Sequence, residues 1–197
     1  SRSGVRERIS VSLGTLAAAQ VQRRREGEAA PAEVRRASVW LSPVAGEAIR
    51  LPERPGTLVY GSLATLDADK WIDLLKAESQ SSDSEPVSID MKIGVLDAYG
   101  KRVHDLQLRA GGGAKGWSAA LKAKEISGDV TFTADKGGAL FARLEHFTLP
   151  EDSPGAAAQA PRQPADVPAV DAVIERFAYR GRQLGRVEFL AQREDDA

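Results

Sequence analysis

Hydrophobic and polar positions alternate along much of the chain. The clearest example is the run 87–95, in which apolar residues at odd positions alternate with polar residues or glycine at even ones. Because successive side chains point to opposite faces of a β-strand, this run predicts a strand with one apolar and one solvated face. The same period of two recurs in six further runs, which begin at Ile9, Leu106, Trp117, Val130, Leu140 and Val187.

Short spacers separate several of these runs and contain glycine. They comprise residues 97–100, 111–116, 127–128 and 136–138. Spacers of this length suit β-hairpins, whereas a parallel connection needs about a dozen residues or more. The pattern therefore predicts a mainly β fold: an antiparallel meander that forms a curved sheet, a groove or a partly closed barrel, with one or two short helices.

Two segments have helical features. Asp67 is placed to cap a helix near residues 67–78, in which Trp71, Leu74 and Leu75 supply an apolar stripe. The alanines and arginines of residues 16–25 have high intrinsic helix propensity, although their apolar stripe is poor. We expect the first segment to be helical and treat the second as a weaker candidate.

The length of 197 residues suits one domain with an extension. We predict an antiparallel β module over residues 1–150 and a flexible loop over residues 151–168, which hold four of the ten prolines. Residues 169–197 are too few for a second domain and have the pattern of a β-hairpin. An isolated hairpin is marginally stable in water, so we expect this one to pair back onto the sheet.

The apolar sides of about eight or nine such strands need a cover that one short helix is too small to provide. Either the sheet closes on itself as a barrel or sandwich, or part of its apolar face stays open as a trough. Large exposed apolar patches are uncommon on monomers, which favours the closed form. An open trough would itself point to a function for the exposed face.

Composition excludes several classes of function. The absence of cysteine rules out disulfides, thiolate zinc sites and thiol nucleophiles. The formal net charge is −1, so no overall field attracts nucleic acid, and no apolar run approaches the roughly 20 residues of a membrane-spanning helix. The basic clusters 23–25 and 35–36 are interleaved with glutamates. This favours a solvated surface, with weak contact to anionic lipid headgroups as the alternative.

No motif in the sequence indicates catalysis. The glycine cluster 111–116 has the spacing of a dinucleotide-binding loop, but the residues after it alternate as in a strand, which favours a hairpin loop. His104 and His146 are the only histidines and lack a metal-ligand spacing; we place His146 at a strand end near the rim of the sheet. We therefore expect no enzyme activity, no metal site and no cofactor.

Three segments occur in a distinctive order. Residues 51–75 contain a glycine-bounded strand, a Leu-Asp pair and a tryptophan helix, and residues 116–132 supply a further pair of strands. Residues 167–191 contain a proline, a strand, Tyr179 and Gly181, then Leu184 and Gly185, and a second strand. In this order the segments resemble the YhdP group of AsmA-like bacterial envelope proteins.

The resemblance implies an internal periplasmic piece of a long protein that is anchored in the inner membrane of a Gram-negative bacterium. Such proteins are implicated in moving phospholipid between the inner and outer membranes and in maintaining the outer-membrane barrier, using an extended β structure with an apolar groove. The implied partners are phospholipid acyl chains and the remainder of the parent protein. The residues expected to contact lipid, or to form the module's own core, are Ile89, Met91, Ile93, Leu106, Leu108, Leu121, Phe132 and Leu144. The alternative is a closed structural module that scaffolds the parent protein without touching lipid.

Overall fold

The computed structural model describes residues 5–25, 33–70, 86–135, 138–149, 151–152 and 169–192. These residues are mostly β-strand, which confirms the predicted fold class. The strands are β1 (Val5–Leu13), β2 (Ala17–Arg25), β3 (Glu33–Leu41), β4 (Gly56–Asp67), β5 (Val87–Ala98), β6 (Lys101–Gly113), β7 (Gly116–Lys122), β8 (Ile126–Thr133), β9 (Ala139–Thr148), β10 (Glu151–Asp152), β11 (Ala169–Tyr179) and β12 (Arg182–Ala191).

Eleven strands form one sheet, in the order β1-β2-β3-β4-β5-β6-β7-β8-β9-β11-β12, and the short β10 pairs with β6. The sheet is not closed into a barrel, and β1 and β12 lie at its two ends. The expectation that closure is favoured over an open trough is therefore wrong. That expectation assumed that the protein itself covers every large apolar surface, whereas here the strands spread into a single open layer.

Three neighbouring pairs in the sheet are parallel. β4 runs parallel to both β3 and β5, and β11 runs parallel to β9. Each of these steps follows a long connection, through residues 42–55, 68–86 and 149–168 respectively. Connections of this length allow a crossover to a parallel neighbour. The predicted antiparallel meander is therefore wrong for these three strand pairs and correct for the pairs joined by short hairpins.

In the segment 16–25, residues 17–25 form a strand and not a helix. β2 pairs with β1 on one side and with β3 on the other. Helix propensities differ by less than about 1 kcal/mol per residue among most amino acids, so pairing along both edges outweighs the preference of alanine and arginine.

The predicted helix near residues 67–78 begins where expected. Residues 68–70 are helical, and the Lys70 amide donates to Asp67 Oδ1 at 3.3 Å, as in an N-cap. Asp69 Oδ1 accepts a second hydrogen bond, from the Tyr99 amide at 2.9 Å, which ties the helix start to the β5–β6 turn. The predicted apolar stripe of Trp71, Leu74 and Leu75 lies outside the described residues.

The C-terminal strands extend the sheet. β11 and β12 form a hairpin around Arg180 and Gly181, and β11 adds to the sheet beside β9. Two residues of the predicted flexible loop, Glu151 and Asp152, form β10, while 153–168 lie outside the described residues.

The β3–β4 crossover packs against one face of the sheet. Trp40 and Tyr60 stack there with ring centroids 5.5 Å apart, and both side chains are buried. The Arg50 amide donates to the Tyr60 hydroxyl at 2.8 Å, and the Arg50 guanidinium lies 4.3 Å from the Tyr60 ring centroid. The buried Ser38 hydroxyl donates to the Arg50 carbonyl at 2.5 Å. These contacts fix the crossover on this face.

An ion pair joins the parallel strands β9 and β11. Arg143 Nη1 and Nη2 donate to Asp171 Oδ1 and Oδ2 at 2.9 and 3.1 Å. The hydrogen bond from Arg143 holds the pKa of the Asp171 carboxyl below its usual value. A lowered pKa in the folded state contributes stability above the unfolded pKa, and that contribution is lost as the pH falls through the folded pKa.

We therefore expect Asp171→Asn to destabilise the protein at neutral pH and to have little effect at a pH below the folded pKa of Asp171. Urea unfolding of both proteins at the two pH values measures this difference. Glu175→Gln on the same strand serves as the control, since Glu175 approaches Arg186 only at 3.5 Å with both side chains largely exposed. If Asp171→Asn lowered the free energy of unfolding equally at both pH values, the stabilisation could not come from the ionised Asp171 carboxylate.

Candidate functional site

The register of the sheet places apolar residues in rows that cross all eleven strands. Residues that are paired directly in adjacent strands project from the same face. The central row contains Leu13, Ala17, Leu41, Gly61, Met91, Leu108, Leu121, Gly128, Leu144, Ile174 and Val187. We call this side of the sheet the apolar face.

Two further rows lie on the same face. The second contains Val11, Ala19, Val39, Val59, Ile89, Ala110, Ala119, Val130, Ala142, Ala172 and Phe189. The third contains Ile9, Val21, Ala37, Thr57, Val87, Gly112, Trp117, Phe132, Leu140, Val170 and Ala191. Thr57 is the single polar residue in the three rows, and none of their members is charged. With strands about 4.8 Å apart, each row is about 50 Å long.

The structure brings the eight residues selected from the sequence onto this one face. Six of them belong to the three rows, and Ile93 and Leu106 are paired with each other one step further along β5 and β6. Five different strands contribute these residues, so their common orientation follows from the strand register and not from sequence proximity.

Burial divides the eight residues into two groups. Met91, Ile93 and Leu106 are 3–5% exposed and form a small core cluster. Partly buried side chains pack around this cluster, including Leu66, Leu96 and Val103. Leu144 is also buried, whereas Ile89, Leu108, Leu121 and Phe132 are only half-buried. The apolar face therefore combines a local protein core with apolar surface that remains accessible.

Exposure of the apolar face rises toward the ends of the sheet and along one side of it. On β1, Val11 and Leu13 are 62% and 65% exposed, and on β12 Phe189 is 56% exposed. Trp117 in the third row is 44% exposed and stacks on Phe132 with ring centroids 6.1 Å apart. Exposed apolar side chains of this number are uncommon on the surface of a monomer.

The opposite face has a different chemistry. Along each strand, one residue lies between the central and second rows and projects from the opposite face. The row that these residues form includes Asp90, Arg109, Asp129, Arg143 and Glu188. Arg109 Nε and Asp90 Oδ1 lie 3.8 Å apart across β5 and β6, with the arginine side chain 83% exposed. This row thus places charges on the back of the central strands, whereas the three rows of the apolar face contain none.

The two histidines meet the same turn from different strands. His104 Nδ1 lies 2.7 Å from Glu125 Oε1, and the His104 amide donates to Glu125 Oε2 at 2.8 Å. His146 Nε2 lies 3.2 Å from the Lys124 carbonyl oxygen. These contacts hold the β7–β8 turn against its neighbours. Among the described residues, no group of three or more His, Asp or Glu side chains is arranged to hold a metal ion.

The glycine cluster 111–116 forms the end of a β6–β7 hairpin. Gly113 is paired directly with Gly116, and β7 continues as a strand, so a helix that would receive a pyrophosphate does not follow the loop. This outcome confirms the hairpin interpretation.

Sequence reasoning missed part of the apolar face. β2, β3 and β4 contribute Ala19, Val39 and Val59 to the second row, but these strands were not recognised from their alternation. Alanine is weakly apolar, and Gly61 interrupts the pattern in β4. The alternation of Val39 and Leu41, and of Val59 and Leu63, is the signal that could have identified them.

The whole chain matches one family model. The model of the YhdP protein family covers residues 1–197. Comparison with curated proteins and with solved structures found no match. No helix of the described residues is long and apolar enough to cross a membrane. With its full length matched, the chain belongs to the YhdP family of AsmA-like envelope proteins.

Proposed function

We propose that the apolar face binds phospholipid acyl chains and passes them from strand to strand, between the inner and outer membranes. The chain would act as a periplasmic part of a longer protein anchored in the inner membrane, and its transport would maintain the outer-membrane barrier. The observation that carries this proposal is the continuity of the three uncharged rows across every strand of the main sheet.

The energetics suit an acyl chain. Burying one methylene is worth about 0.8 kcal/mol, so a chain of roughly 16 carbons gains on the order of 10 kcal/mol before entropy and ordering costs. Half-buried side chains such as Leu108 and Leu121 offer this contact without a deep pocket. Because the rows lack charges and strong hydrogen-bonding groups, no position along them would hold the cargo much more tightly than its neighbours.

The proposed role is non-catalytic. Acyl-chain contact needs apolar surface and no reacting group, and the residues of the three rows are aliphatic, aromatic, methionine or glycine apart from Thr57. The charged back of the central strands complements this arrangement, because it keeps that part of the sheet in water while the apolar face meets lipid.

Photocrosslinking in the full-length parent protein tests the proposal. We expect a photoreactive residue at Ile89 or Leu121 to trap phospholipid, because both positions are half-buried on the apolar face. Asp90 and Lys122 are the matched controls, since each is the next residue of the same strand and projects from the opposite face. Mass spectrometry of the adducts identifies the lipid. Equal adduct formation at all four positions, or none at Ile89 and Leu121, would count against the proposal.

A scaffolding role is the second candidate, and the burial of Met91, Ile93 and Leu106 favours it. These side chains, 3–5% exposed, already pack within the protein. A structural module would use the whole face in this way, with other parts of the parent protein covering the exposed rows. Native mass spectrometry of gently purified parent protein separates the two roles, since a scaffold is recovered free of phospholipid.

A further inference from the structure

Arginines from three strands gather at one end of the sheet. Arg8 on β1 and Arg36 on β3 are each paired with Gln22 on β2, so all three residues project from the same face. Arg24 projects from that face too, whereas Arg23 is paired with Glu7 and projects from the apolar face. Residues from both faces at this end of the sheet line a cavity of about 720 Å³, together with Pro55 at the end of the β3–β4 crossover. Sequence spacing alone does not bring residues 8, 23 and 36 together; the strand pairing does.

The cavity concentrates positive charge in a chain whose net charge is −1. Four arginines and one glutamate line it. Within the part of the chain that the structure describes, Arg8, Arg23 and Arg36 form neither ion pairs nor side-chain hydrogen bonds. Arg23 Nε is buried and has no hydrogen-bond acceptor there. A buried cationic donor without an acceptor is costly, and such a group commonly marks the place of a missing anion or water.

Four of the seven residues that line the cavity are arginines. Guanidinium groups recognise phosphate oxygens through paired hydrogen bonds, and several arginines around one group neutralise its charge from different directions.

We propose that this arginine cavity binds a phosphate group, as a phosphomonoester or phosphodiester. Ile9 and Val21 of the third apolar row lie two residues from Glu7 and Arg23 on the same strands, so the cavity adjoins the apolar face at this end of the sheet. Both free phosphate and a phospholipid headgroup present the required chemistry. The site is independent of acyl-chain binding and can be tested with soluble ligands.

Titration of the full-length protein with inorganic phosphate and with glycerol 3-phosphate, followed by isothermal calorimetry, tests the site. We expect saturable binding that falls about tenfold or more in the double variant Arg23→Gln/Arg36→Gln. The control is Arg109→Gln/Arg182→Gln, which removes the same charge from two exposed arginines remote from the cavity. The single variant Arg8→Gln gives a second reading if the cavity double variant folds poorly by circular dichroism.

A short-chain phosphatidylglycerol below its micelle concentration distinguishes the two sources of phosphate. Tighter binding of the lipid than of glycerol 3-phosphate supports a headgroup site, and equal binding supports a site for free phosphate. The absence of saturable binding by the wild-type protein would overturn the proposal, as would an equal loss in the cavity and control variants. Failure of lipid crosslinking at Ile89 and Leu121 would reject acyl-chain binding and leave this result unchanged.

Discussion

Replacing Leu108 and Leu121 together by glutamate is expected to abolish phospholipid binding by the parent protein. The two leucines are paired directly across β6 and β7, in the central row of the apolar face. A lipid that passes this point would have to strip water from two adjacent carboxylates, which costs several kcal/mol per charge. We expect at least about a 100-fold loss of bound lipid, measured by mass spectrometry of lipid extracted from the purified protein.

The matched control replaces Gln107 and Lys122 by glutamate. These residues are also paired directly across β6 and β7, but they project from the opposite face and are exposed. The control therefore adds the same two carboxylates to the same strands and should retain lipid. Because opposed glutamates on a half-buried face also weaken strand pairing, Leu121→Gln alone provides a milder variant. Retention of lipid by the double leucine variant, with its fold intact by thermal unfolding, would disprove transport along this face.

Replacing Gly61 by alanine is expected to destabilise the fold by about 3 kcal/mol or more. Gly61 lies in the central row with φ of +135°, a conformation that residues with a side chain rarely adopt. An added Cβ would also enter the space of the Leu41 carbonyl oxygen on the parallel neighbour β3. The substitution therefore strains β4 and separates it from β3, which interrupts all three apolar rows.

Gly111→Ala is the control for Gly61→Ala. Gly111 also lies inside a strand, but an added Cβ would approach its nearest atoms only at 3.8 and 3.9 Å, which is ordinary contact. We expect a change in the free energy of unfolding within about 1 kcal/mol, since alanine reduces the freedom of the unfolded chain. Urea unfolding of the three proteins measures both effects. Similar stability of the two variants would show that the backbone of β4 does not require glycine at position 61.

The hairpins of the central sheet could be predicted because their information is local. In β5, the alternation of Ile89, Met91 and Ile93 with polar residues sets both the strand and its apolar side. The glycine cluster 111–116 is too short for anything but a tight connection, so β6 and β7 had to be antiparallel neighbours. The common orientation of Leu108 and Leu121 follows from these two facts alone.

The long connections could not be interpreted in the same way. Residues 42–55 have no periodic pattern that indicates a direction for the next strand, and the parallel pairing of β3 with β4 depends on contacts such as Arg50 with Tyr60. β2 was mistaken for a helix candidate because Ala17 and Ala19 suit either state when considered alone. They become strand residues through pairing with Leu41 and Val39, which are 24 and 20 positions away respectively.

The amino-acid sequence by itself determined which residues alternate, that the fold is mainly β, and which side of each recognised strand is apolar, because a period of two depends only on neighbouring residues. Only the tertiary structure decided that three steps are parallel, that the sheet stays open, and that Arg8, Arg23 and Arg36 line one cavity. These features depend on which strands pair and in which register. Such pairing is selected by the summed contacts of distant segments, which no local pattern contains.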